Sequence, residues 1–150
     1  MRKSPTLAEA LCWLDTLTRQ DAARPAVSGP WPPEAVLTHL AQSIEMSLTG
    51  YPQPKPAWFR ATVGPLALAV FRRRGAMRHP LDAPIPGAPA LPQDGEWRAA
   101  AARLRAAITA FEAHTGLLAP HFAYGAMDKT AYAEAHALHI ANHREAWPAG

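Results

Sequence analysis

The placement of proline does most to limit what this chain can fold into. Sixteen prolines are present, most of them in three clusters at 25–33, 52–56 and 80–92. Between the clusters run long, proline-poor stretches rich in alanine and leucine. Proline removes a backbone donor and clashes inside a helix, so this pattern predicts helices joined by proline-rich connections. The first helix is expected over about 6–19, where Leu7, Leu11, Leu14 and Leu17 recur at steps of three and four. The second follows Pro32 and Pro33, which suit an entry turn, and stops at Gly50. Val36, Leu37, Leu40, Ile44 and Leu48 make its apolar face. A third stretch over about 57–74 contains Gly64-Pro65, where a break is expected, and ends in the basic run Arg72, Arg73 and Arg74.

The stretch from Met77 to Gly95 has neither helical nor strand periodicity and reads as an ordered, extended crossover with Ile85 and Leu91 to bury. Long loops of this kind are often functional. A fourth helix is expected from an Asp94 cap to a stop at Gly116, and a last one from an Asp128 cap to about Ala146. No alternating strand pattern or internal repeat occurs. The expected fold is all-α, a four-helix bundle in one domain of 150 residues. A net charge of +3 admits an acidic small substrate and does not by itself indicate nucleic acid. A single cysteine, Cys12, excludes an internal disulfide and is read as a core residue of the first helix. The opening MRKSPTLAEALCWL reads as a helix rather than a signal peptide, and no apolar run could span a bilayer. A reduced, cytoplasmic setting is the simplest expectation.

The segment HALHIANH concentrates His136, His139 and His143 in eight residues. At about 100° per residue, Tyr132, His136, His139, Ile140, His143 and Trp147 share one helix face, while Lys129 and Glu134 face away. That apolar and aromatic face points inward. Neutral imidazoles four residues apart on a helix can converge on one ion, as His139 and His143 are spaced to do. His39, mid-helix beside the apolar face of the second helix, is the best third ligand. Three ligands would leave a position open for water or substrate. Spacing alone leaves a cluster of structural core histidines equally open.

Together VLTHLAQSIEMSLTGYP, PIPGAP, PHFAYGAMDK and HALHIANH resemble the DinB-like superfamily, and more closely one of its uncharacterised bacterial branches. The likeness covers nearly the whole chain. It implies a bundle in up-down-down-up order with a long crossover at 51–93 containing an extra short helix. It also implies a divalent metal, zinc or nickel, on His39, His139 and His143. Characterised members include thiol-dependent S-transferases and a glutathione-dependent isomerase, and dimers are common. A low-molecular-weight thiol cofactor and a homodimer are therefore expectations carried by the resemblance.

His136 exceeds that triad. It is read as a core histidine before a fourth ligand, a group orienting a ligand, or a general base. Gln42 and Ser43, one turn beyond His39, could orient a ligand or simply face solvent. His121 and Tyr124 in the connector, with Tyr132, could reach a substrate pocket or just pack. Arg72, Arg73, Arg74 and Arg78 would hold a thiol's carboxylates only if they border that pocket. The expected activity is thiol transfer to a small electrophile, with no nucleic-acid or membrane partner. The alternative is a non-enzymatic, metal-stabilised binding or stress-related module.

Overall fold

The structure is a computed structural model, and it describes residues 3–19 and 24–148. Among the described residues six helices follow one another: α1 Leu7–Arg19, α2 Pro33–Thr49, α3 Ala57–Ala61, α4 Val63–Arg74, α5 Trp97–Ala113 and α6 Lys129–Arg144. Among the described residues there is no strand, only a single antiparallel bridge between His121 and Gly125.

Local chemistry starts and stops these helices. Thr6 Oγ1 accepts from the Glu9 N–H, and the Glu9 carboxylate accepts from the Thr6 N–H, a reciprocal cap on α1. Pro33 occupies the first turn of α2, and Gly50 ends it at φ 112°. Asp128 caps α6 by accepting from the Ala131 N–H at 2.8 Å. Two expectations shift. The expected break lies at Thr62, between α3 and α4, rather than at Gly64-Pro65. Pro65 falls in the first turn of α4, where its missing N–H costs nothing. Glu96, not Asp94, precedes α5, and it makes no side-chain cap. At the far end α5 stops at Ala113, short of Gly116.

Cross-chain contacts give the helix directions. Ser28, just before α2, donates to the Ala146 carbonyl just after α6, while Ser47 near the end of α2 meets His136 at the middle of α6. These two helices are therefore antiparallel. Phe111 near the end of α5 also meets Tyr132 and His136, so α5 runs against α6 and parallel to α2. Pro5 and Glu9 flank Leu138 to Glu145, and Trp13 further along α1 meets Trp147 edge-to-face, so α1 runs with α6 and hence against α5. The order is up-down-down-up, and α2 packs most extensively on α5. Among the described residues no helix is long and apolar enough to cross a membrane.

The core forms where the four long helices meet, around Leu14, Leu37, Leu40, Ile44, Leu104, Ile108, Phe111 and Tyr132. Each such side chain contributes about 1.5–3 kcal/mol by leaving water. Leu7 and Leu14 are buried, with Leu11 and Leu17 packed at the edge. Cys12 is exposed, correcting its expected place in the core. It lies about 140° around the helix from Leu7, away from the leucine stripe. The crossover helices cover part of the face of α6 that the sequence leaves outward, and Arg72 of α4 pairs with Glu134 there.

Candidate metal centre

Histidines from both ends of the chain converge at one place. His39 lies at the middle of α2, with His139 and His143 one turn apart on α6. One nitrogen from each comes within 4.8 Å of the others. The Nε2 atoms of His39 and His139 stand 3.1 Å apart. Two nitrogens on one tetrahedral zinc, each about 2.0–2.1 Å from it, lie ~3.3 Å apart. The pair therefore already has nearly the separation of two ligands on a single ion. His39 Nδ1 and His143 Nε2 are buried without hydrogen-bond partners. Buried polar atoms are seldom left unpaired, and an imidazole cluster with spare nitrogens suits a borderline-soft divalent ion. Trp31 fences the cluster, edge-on to His39 and stacked on His143.

Burial keeps these rings neutral, the form that binds metals. It lowers His39 to about 4, helped by the neighbouring His79, and His143 to about 3, helped by His39 and His79. His139 is pushed well below its ordinary value by burial and then by the surrounding histidines.

Beside the triad opens a cavity of about 350 Å³. His39 and His139 line it on one side. His121, Phe122 and Tyr124 line another, and the segment from Ala83 to Pro86 forms an apolar wall. Among the described residues no carboxylate lines it, and Lys55 is its one cationic side chain. Arg72, Arg73, Arg74 and Arg78 do not border it. Arg72 is instead engaged with Glu134.

The loop carrying His121 is clamped in place. His121 and Gly125 exchange backbone hydrogen bonds, and the Lys55 N–H donates to the Phe122 carbonyl. Gly64 of α4 packs so closely that a Cβ there would lie 1.8 Å from the Ala123 carbonyl oxygen. His121 Nδ1 accepts from the N–H groups of both Ala123 and Tyr124, at 3.1 Å each. Its proton must therefore sit on Nε2, so the ring is a hydrogen-bond donor rather than a base. Burial lowers His121 to about 3 and raises Tyr124 to about 12.

The other sequence candidates divide. His136 also lines the cavity. The Ser47 hydroxyl donates to the Ile44 carbonyl at 2.6 Å, so its oxygen accepts from the His136 Nε2–H at 3.2 Å. That nitrogen has no lone pair left for a metal. Ser43 reaches the cavity. Gln42 is buried and donates to the Pro89 carbonyl, pinning the crossover to α2. Tyr132 is fully buried in the core, donating to the Ala119 carbonyl, and is not among the cavity-lining residues.

Three site residues escape the sequence reading: His79, Lys55 and Trp31. None sits on a periodic helix face. The one available signal for His79 is its place within a long irregular segment.

Among known families, a model described as "Protein of unknown function (DUF1569)" matches residues 3–147. No curated protein and no solved structure matches the chain.

Proposed function

The chain belongs to the DUF1569 family, and from that footing we propose that it is a divalent-metal protein whose His39, His139 and His143 hold zinc or nickel beside a small-molecule pocket. The observation that carries this reading is the convergence of three neutral imidazoles, two of them with Nε2 atoms 3.1 Å apart, at the edge of a 350 Å³ cavity. The resemblance to the DinB-like superfamily supports it, because that superfamily places the same triad on the corresponding helices.

The finer reading is a metal- and thiol-dependent transferase acting on a small electrophile. A bound divalent ion would lower the pKa of a thiol or water. The chain's own residues account for the rest. Lys55 offers a cation to a carboxylate on the thiol or the substrate. The wall at Ala83–Pro86 excludes water around an apolar body. His121 presents a fixed donor suited to an oxygen that gains negative charge. The assignment to thiol chemistry rests on family analogy rather than on these residues.

A second reading, a metal-stabilised binding module without catalysis, is favoured by the exposed apolar side chains Trp58, Val63, Leu66 and Val70 on α3 and α4. Such a face suits a protein partner or a second copy of the chain.

Metal content of untagged protein, measured by mass spectrometry, tests the common part of both readings. Wild type should carry about one zinc or nickel per chain, and the double substitution His139→Ala, His143→Ala should carry none. A wild-type protein that stays empty after incubation with both ions would remove the metal. Thiol-transfer assays on the loaded protein then separate the transferase from the binding module.

A further inference from the structure

We infer that His79, on the crossover, is a fourth ligand of the metal centre and completes an all-histidine shell around the ion. The inference rests on the metal reading above and goes beyond the triad. His79 lies near the start of the non-helical stretch after α4, yet its ring centroid is 4.9 Å from that of His139 and 5.2 Å from that of His143. The triad rings stand 4.9–5.0 Å from one another. His79 therefore packs on the cluster as closely as the members pack on each other.

Its hydrogen bonding fixes which nitrogen is available. His79 Nδ1 lies 2.8 Å from the Pro80 carbonyl oxygen. A carbonyl can only accept, so Nδ1 carries the proton and Nε2 carries the lone pair. Metal-ligating histidines are typically held this way, with the second ring nitrogen donating to a carbonyl or carboxylate. His79 Nε2 is buried and has no partner. That lone pair is therefore buried beside the His139 and His143 rings with nothing to accept from.

The crossover is anchored around this residue. Gln42 of α2 holds the Pro89 carbonyl, Asn142 of α6 approaches the His79 carbonyl at 3.5 Å, and Ile85 and Met77 are buried. His136, the other spare histidine, packs its ring on Phe111 and Tyr132 with its Nε2 on Ser47, rather than on the triad rings. His79 stands outside the tight group of three nitrogens, so a small movement of the segment, carrying the Nδ1–H to Pro80 bond with it, would bring Nε2 to the ion. It is also the one candidate ligand not borne by a helix. A thiol reaching a filled shell would have to add as a fifth donor or displace His79.

Cobalt(II), titrated into untagged protein and read by its visible spectrum, tests the assignment together with X-ray absorption of the zinc-loaded protein. Wild type should show four imidazoles and no oxygen in the first coordination shell. His79→Ala should show three imidazoles plus oxygen, with cobalt affinity lower by roughly 10–100-fold. X-ray absorption of wild type needs no variant, so a poorly folding His79→Ala does not blunt the test. Three imidazoles in wild type, or identical spectra and affinity in wild type and His79→Ala, would overturn the role of His79 and leave the triad standing. A wild type that takes up neither ion would overturn both.

Discussion

Burial makes each of the clustered histidines an acid-sensitive element. In the unfolded chain these imidazoles take up a proton near pH 6.5. In the folded protein His39 does so only near 4, and His121, His136 and His143 only near 3. Between those values the unfolded chain binds more protons, so stability falls as pH falls. The contribution is complete above pH 6.5 and is lost as pH drops toward 4. Each such histidine costs about 1.4 kcal/mol per pH unit within that window. Four acting together should bring a steep fall in melting temperature of the chelator-treated protein between pH 6.5 and 5. Calorimetry at pH 7.5, 6.5, 5.5 and 5.0 would read it. A melting temperature that stays level over that range would mean the histidines are not held neutral.

Among the elements, the junction of α3 and α4 with the loop at 121–125 fixes one wall of the cavity. Gly64 lies inside a helix, where alanine would ordinarily be preferred. Here a methyl group would run into the Ala123 backbone. Gly64→Ala should therefore destabilise by about 1–3 kcal/mol, as overpacked sites do, and should move the loop that carries His121 and Tyr124. Urea unfolding gives the first quantity and the amide chemical shifts of His121–Gly125 the second. An unchanged midpoint would show that α4 can slide away at no cost. This close approach is not legible in the sequence, where Gly64-Pro65 looks like a break. The pair says only that the helix is unusual there, and tertiary packing decides why. The long helices are legible because their signals are local. The leucine steps of α1, the Pro32-Pro33 entry and Gly50 exit of α2, and the Asp128 cap of α6 each act within a few residues. The triad is legible in part for the same reason, since His139 and His143 share a turn. His79 and Lys55 are not. Each lies on irregular chain, and only the path of the crossover brings it to the cavity. Cys12 shows the opposite error, where a residue-type preference for burial is overruled by position on the wheel.

For the molecule as a whole, the centre ties together parts of the fold that share little other covalent or local structure. An ion held by the native state alone adds RT ln(1 + [L]/Kd) to stability, about 4 kcal/mol at a thousandfold excess over Kd. For a chain of this size that corresponds to a rise of about 8–16 °C in melting temperature. Zinc or nickel should produce such a rise in wild type and none in the His139→Ala, His143→Ala protein, as followed by differential scanning fluorimetry. An equal rise in both would locate the binding elsewhere. The separation of the ligands has one more consequence. His39 and His139 are 100 residues apart in the chain, so their nitrogens meet only after α2 and α6 have docked. Before that, His139 and His143, one turn apart on α6, could offer an ion two ligands, and the third would come only with the docked bundle. If the triad holds an ion, full occupancy would act as a certificate of completed folding: chains stalled or misassembled on the way would compete poorly for scarce metal, and the cell's supply would be spent on native copies.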